Sequence, residues 1–331
     1  TLNVGLDTFN DTAVEGPEDY TIAISNLTST ADPQVSIDTG NDDVTTTIID
    51  NDTSVVSLMG PNDVNEGAVA LYPIDITGSI QVGETITFDI QLTSTEATLD
   101  LTAPPSDFAG FTYNGMSSAG TTPVVVNVTN GTFTITPSMS TLGLATIEYT
   151  ATNTGTVDTL NVGLDTFNDT IVEGPEDYTI AISNLTSTAD PQVSIDTGND
   201  DATTTIIDND TATWTLTQTG AQAADGVDEG DAAIYTLGLN GAVQIGRTAT
   251  IDVDLTLLGP TSLPDFAESL AEALQDAVDA YNGSTAGDPN TFSLSGTGSS
   301  VTVTFHGDST VAPSLSIDLS TFDDTNMSQT G

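Results

Sequence analysis

TLNVGLDTFNDTIVEGPEDYTIAISNLTSTADPQVSIDTGNDDATTTIIDND, residues 159–210, also stands at residues 1–52 with two changes, Ala13 for Ile171 and Val44 for Ala202. Near identity at an offset of 158 residues means both copies carry the same local structural code, so the chain is read first as a repeat. Within a copy, Leu160, Val162 and Leu164 alternate with other residues, as do Tyr178, Ile180 and Ile182, the period-two pattern of half-buried strands. QVSID and TTTIID follow, joined by TGNDDA, where Asp and Asn cap their own backbone and Gly198 tolerates positive φ. This spacing predicts an antiparallel hairpin.

After each IIDND the chain restarts in the same way, as TSVVSLMGPNDVNEG after Asp52 and as TATWTLTQTGAQAADGVDEG after Asp210. Each restart reads strand, acidic EG turn, strand, QxG turn, strand. Residues 53–210 are therefore expected to form one complete unit. Residues 211–331 read as the first part of another, and residues 1–52 supply the kind of ending it lacks. Two explanations fit. The chain is a window on a longer array whose period is two domains, or it is a subunit whose leading part completes the trailing part of a neighbour, head to tail, by strand donation.

Residues 53–158 continue with SVVSL, AVALYPIDI, ETITFDIQL, PVVVNV, TFTITP and LATIEYTAT, each bounded by Gly, Pro or Asn, with Asn130 and Gly131 at a hairpin. Short, regularly spaced strands of this kind predict an all-β fold of tandem immunoglobulin-like antiparallel β-sandwiches. The unit is longer than the ~100 residues of a seven-stranded sandwich, and the excess falls at about residues 94–150, as added strands or a long loop. One sandwich is expected to carry an inserted α-helix near 264–281. There Phe266, Leu270, Leu274, Ala277, Val278 and Tyr281 share one face, Pro264 sits in the first turn, Asp265 and Glu268 lie near the positive end of the dipole, and Gly283 is a stop.

Forty-eight acids stand against a single Arg247 and no lysine, a formal charge of −47. Such a chain repels nucleic acid and anionic membrane surfaces and needs counter-cations or high salt to stay compact. One reading of this acidity is adaptation to a saline environment, with the carboxylates solvating the surface. The distribution points to something more local, since each repeat copy holds 11 of the acids, clustered in turns. Carboxylates crowded without cationic partners suit a hard divalent cation, calcium, which takes six to eight oxygens in irregular geometry. Their alternative role is as turn formers and solvated charges. Cysteine is absent, so disulfides and thiolate metal sites are excluded. No transmembrane span is read from the sequence.

The succession of an aspartate-bearing turn, VEGPEDYTIAISN and a strand ending in TTTIIDND resembles the Calx-beta domain family, whose sandwiches recur in sodium/calcium exchangers and in large bacterial surface proteins. The resemblance covers the EG turn and the last 50 or so residues of each unit. It implies calcium ligands from the EG turn, from the loop before the penultimate strand and from the acids closing the last strand. Carried over, these are Glu66, Asp169, Glu173, Glu176, Asp208 and Asp210 in the complete unit, and Glu229 with Asp11, Glu15, Glu18, Asp50 and Asp52 in the split one. Asn168, Asn209, Asn10 and Asn51 stand where some calcium-binding members carry further aspartates, which lowers the site charge. Because IIDND both ends one sandwich and begins the next, an ion there is expected to stiffen a junction.

An enzyme is not expected. The one histidine, His306, has no cysteine or lysine to work with, and the acids lie in repeated turns rather than around an aromatic cleft. Trp214 and Arg247 read as structural, and the sequons at Asn26, Asn127, Asn184 and Asn282 are weak signals in a Thr-rich chain. The expected function is that of an extracellular, cell-surface structural protein, a calcium-stiffened stalk, filament or surface-layer component whose partners are other copies of itself. The alternative is an adhesin module that binds a glycan or protein through exposed loops.

Overall fold

The computed structural model describes residues 1–31, 34–95, 107–117, 122–189, 191–219, 233–256, 269–284, 291–297, 299–307 and 313–318. The first repeat copy contributes β1 (Ala13–Val14), β2 (Glu18–Ala23) and β3 (Asp43–Ile48). Then come β4 (Ser54–Leu58), β5 (Asp63–Asn65), β6 (Val69–Ile76), β7 (Ser79–Ile80), β8 (Thr85–Ser94), β9 (Phe108–Tyr113), β10 (Met116–Ser117), β11 (Val124–Val128), β12 (Gly131–Pro137), β13 (Leu144–Ala151) and β14 (Gly155–Thr156). The second copy forms β15 (Leu160–Thr166), β16 (Ile171–Val172), β17 (Glu176–Ser187), β18 (Val193–Ile195) and β19 (Asp201–Ile207). Last are β20 (Thr213–Thr219), β21 (Ile234–Asn240), β22 (Ala242–Val243), β23 (Thr248–Asp254), α1 (Leu270–Ser284), β24 (Thr291–Thr297), β25 (Ser300–His306) and β26 (Ser314–Asp318). The fold is all-β, with one helix among the described residues.

Two compact units emerge, one of Thr1–Asn168 with Glu176–Ile207, the other of Asp169–Pro175 with the residues from Asp208 onward. The first holds a sandwich of a six-stranded sheet, β10-β9-β15-β6-β4-β18, and a seven-stranded sheet, β11-β12-β13-β8-β17-β19-β5. Strict alternation along β8 puts Ile86, Phe88, Ile90 and Leu92 inside, where they meet Tyr72, Ile74, Leu160, Val162 and Leu164 of the other sheet in one continuous core. The sheets are also tied by polar contact. The Tyr72 hydroxyl, deep in this core, lies 2.7 Å from both the Tyr178 hydroxyl and Thr204 Oγ1. Phe108 meets the Tyr178 ring edge-on at 5.1 Å.

The hairpin expected around TGNDDA does not form. β18 pairs in parallel with β4 in one sheet while β19 pairs with β17 in the other, so the turn crosses between sheets. Asp196 shapes that crossing by accepting from Gly198 N–H at 3.0 Å and from Asn199 Nδ2 at 2.7 Å. The Asn130–Gly131 turn does join β11 to β12, with Asn130 at φ 68°.

Identical residues of the two copies meet different fates within this unit. Leu160, Val162 and Leu164 are fully buried, whereas Leu2, Val4 and Leu6 are 87%, 80% and 62% exposed. Ile180 and Ile182 lie in the core, whereas Ile22 on β2 and Ile24 just beyond it are more than half exposed. β17 has neighbours on both edges, β8 and β19; among the described residues β2 pairs only with β3. Each such apolar side chain left in water forgoes roughly 1.5–3 kcal/mol.

The second unit repeats the same plan in part. Its sheet β20-β21-β26 corresponds to β4-β6-β15, and β23-β25-β24 to β8-β13-β12. The strand against β21 is thus supplied locally, by Ser314–Asp318, and the sequence there, LSIDLSTFDDT from Leu315, parallels LNVGLDTFNDT from Leu160. α1 starts at a capping box that sequence reading passed over. Ser269 Oγ accepts from Glu272 N–H at 3.3 Å, and the Glu272 carboxylate accepts from Ser269 N–H at 2.9 Å. Leu270, Ala273, Leu274, Ala277 and Val278 face the core with Phe292, Val303 and Phe305. The expected first turn with Pro264, Asp265, Phe266 and Glu268 lies outside the described residues. Asn282 is bound at both ends to the Phe292 backbone, each bond 3.0 Å, which commits the side chain of that sequon to packing.

Candidate functional site

The acidic loops of each repeat copy dock on the QxG turn that follows them in sequence. In the first unit, β1 pairs in parallel with β7, Ala13 opposite Ser79 and Val14 opposite Ile80. The loop is folded by its own acids. Asp11 Oδ1 accepts from Ala13 N–H at 2.8 Å, Asp50 Oδ2 from Glu15 N–H at 2.8 Å, and Asp50 Oδ1 from Asp52 N–H at 3.0 Å. Gln81 of the turn donates from Nε2 to Glu15 Oε1 at 2.6 Å, and Gly16 N–H donates to Glu84 Oε1 at 3.2 Å. Asn51 Nδ2 donates to Asn10 Oδ1 at 2.7 Å.

The second unit builds the same joint from the second copy. β16 pairs in parallel with β22, Ile171 opposite Ala242 and Val172 opposite Val243. Asp169 Oδ1 accepts from Ile171 N–H, Asp208 Oδ2 from Glu173 N–H and Asp208 Oδ1 from Asp210 N–H, each at 2.7 Å. Gln244 Nε2 donates to Glu173 Oε1 at 2.8 Å.

One position separates the joints electrostatically. Where the first has Glu84, the second has Arg247, the only cationic side chain in the protein. Arg247 Nε donates to Gln244 Oε1 at 3.3 Å, and its guanidinium lies so close to Gly174 that a Cβ there would come within 2.8 Å of Cζ. In the first joint the charges add instead. Burial, and then repulsion from Asp11, Glu18, Asp50 and Glu84, push the Glu15 carboxyl above the usual range. A concavity of about 440 Å³ opens beside Arg247, lined among others by Glu173, Trp214 and Val243.

Acidic groups that can hold a metal ion are present. Within the second unit, Asp208 and Asp210 bring carboxylate oxygens within 4.8 Å of one another. Glu66 is set by its turn, its N–H donating to Ile207 O at 3.0 Å, while the next residue, Gly67, has φ +75° and would drive a Cβ to 2.7 Å from the Asn168 Cβ. Of the residues expected from sequence, Glu176 is buried in β17, while its counterpart Glu18 is exposed at the start of β2. Asp169 shapes its own loop. Glu229 lies outside the described residues. Sequence reading missed Glu84 and the two glutamines; the glutamines had a signal, their fixed place in the IQVG and VQIG turns.

No protein-family model matches this chain, and no curated protein matches it. Among the described residues no helix is long and apolar enough to cross a membrane.

Proposed function

We propose that this protein is an extracellular structural repeat protein, built of Calx-beta-like sandwiches whose acidic joints bind calcium and stiffen the chain into a stalk, filament or surface-layer component. The observation that carries this reading is the duplicated joint: one loop sequence, one parallel strand pair and one glutamine-to-glutamate bond, built in each unit. A bond pattern made twice supports a structural role over a chemical one. It also leaves carboxylates gathered with almost no cation to offset them. Their donor set is oxygen alone, which suits calcium and not the softer metals that favour imidazole or thiolate. The residues assigned to the ion are those the resemblance names, Glu66, Asp169, Glu173, Glu176, Asp208 and Asp210.

Small-angle scattering of the purified chain, in calcium and then in excess chelator at constant ionic strength, tests the reading. A rod that shortens or becomes flexible on chelation supports it. An unchanged profile removes calcium from the mechanism and leaves the acids as a salt-adapted surface.

A second reading, a glycan-binding adhesin module, is favoured by the concavity that Trp214 lines beside Arg247. An indole wall with polar groups close by is a common way to hold a sugar ring. Saturable sugar binding that Trp214→Ala abolishes would select it.

A further inference from the structure

We infer that the β2–β3 hairpin of one copy adds to the free edge of β23 in a second copy, continuing that sheet in the register that β17 and β8 use within the complete sandwich. This rests on the reading of the protein as modules that join end to end, and specifies the surfaces that meet. The protein contains its own template. β2 repeats the sequence of β17, and β23, with TATIDVDLT, parallels TITFDIQLT of β8. β17 is hydrogen-bonded to β8, whereas among the described residues β2 has only β3 and β23 only β25. Each open edge therefore has the complement that the other lacks.

The template fixes the register. Ile180 faces Leu92, Ala181 faces Gln91, Ile182 faces Ile90 and Ser183 faces Asp89. Transposed, Ile22 faces Leu255, Ala23 faces Asp254, Ile24 faces Val253 and Ser25 faces Asp252 of the second copy. Ile22 and Ile24 are exposed, and Ile251, Val253 and Leu255 only partly buried, where the corresponding side chains of the complete sandwich are in the core. Pairing would close both apolar faces at once.

A polar contact is also prepared. Asp89 accepts from Thr146 Oγ1 at 2.7 Å on one side and from Asn184 Nδ2 at 2.9 Å on the other, across the bulge that follows Ser183. Asn184 holds φ 54° to reach it. In the free hairpin Asn26 already holds φ 55°, while Asp252 accepts from Thr302 Oγ1 at 2.6 Å through one oxygen and its other oxygen accepts from no described residue. Asn26 Nδ2 of one copy and Asp252 of the next are the missing pair. β26 already occupies the place against β21, so the hairpin alone is donated and residues 1–9 take no part in the added sheet.

The protein has no cysteine, so introduced pairs report the register directly. Copies carrying Ala23→Cys are mixed with copies carrying Asp254→Cys at about 1 M salt, where screening to ~3 Å removes the repulsion between acidic chains. Directly opposed residues lie within disulfide reach and diagonal ones lie beyond it. Disulfide-linked dimers are expected from this mixture about tenfold faster than from Ala23→Cys with Asp252→Cys, and Asn26→Ala should slow them about tenfold through loss of one charge-assisted bond. Equal rates for the two mixtures, no dimer at all, or preferential linkage of Ala23→Cys to Gln91→Cys, which signals exchange with β17, would each overturn the proposal. None of these outcomes bears on calcium, which the scattering of the unlinked chain tests separately.

Discussion

Gln244 Nε2 donates to Glu173 Oε1 at 2.8 Å, and Gln81 makes the same bond to Glu15 at 2.6 Å, so one amide-to-carboxylate contact anchors both acidic loops to the turns beneath them. A hydrogen bond to a charged partner is worth about 1.5–3 kcal/mol. Gln81→Ala should therefore lower the stability of the first unit, and Gln244→Ala that of the second, by about 1–2 kcal/mol after discounting for partial exposure. Urea unfolding of each variant measures this, with the midpoint moving and the slope unchanged.

The Glu84 and Arg247 difference predicts that the two joints depend unequally on cations. Arg247 already offsets the second loop, while Glu84 adds to the charge on the first. Glu84→Arg should stabilise the first unit in chelator by a few degrees in its melting midpoint and shrink the gain on adding calcium. Arg247→Glu should do the reverse in the second unit. Differential scanning calorimetry with and without calcium reads both; equal calcium gains in all three proteins would refute the inequality.

Glu15 gives the first unit a pH signature. Its folded-state pKa is raised, by burial first and by its acidic neighbours second, so the folded state binds its proton more tightly than the unfolded chain does. Its contribution is most favourable below the ordinary value of 4.5 and declines as pH rises through the raised folded value. In chelator, Glu15→Gln should raise stability at neutral pH and make little difference at about pH 4. Asp196 runs the other way. Held low by Asn199 and Gly198, it stabilises above the ordinary 3.8, and that contribution is lost as pH falls through its lowered folded value.

Tyr72 bonds both Tyr178 and Thr204 inside the sandwich. Tyr72→Phe keeps the ring but strips both partners of a buried contact, at about 1–3 kcal/mol. Tyr178→Phe removes one bond and leaves Tyr72 with Thr204, so its effect should be the smaller. Reversal of that order in chemical denaturation would show that the ring packing of Tyr178 on Phe108, not the hydroxyl network, dominates there.

Strand existence was legible because alternation is local: EDYTIAIS and TITFDIQL each carry their inward face in every second letter. Partner choice was not legible. VSI and DATTTII lie close in the chain and read as a hairpin, yet they join different sheets, β18 beside β4 and β19 beside β17, each placing a core residue, Val193 and Ile206. The acids of the candidate site were visible as repeated turns. Their partners were not, since only folding brought Gln81 to Glu15 and Gln244 to Glu173.

By itself the sequence determined the repeat, the all-β character, the acidity of the joints and the amphipathic helix, all properties that short-range pattern and composition encode. The tertiary structure alone decided which copy is buried. Leu160 and Leu2 occupy the same place in the same local sequence, but one has β6 and β9 beside its strand while the other stands in water, and burial depends on neighbours that no local sequence contains.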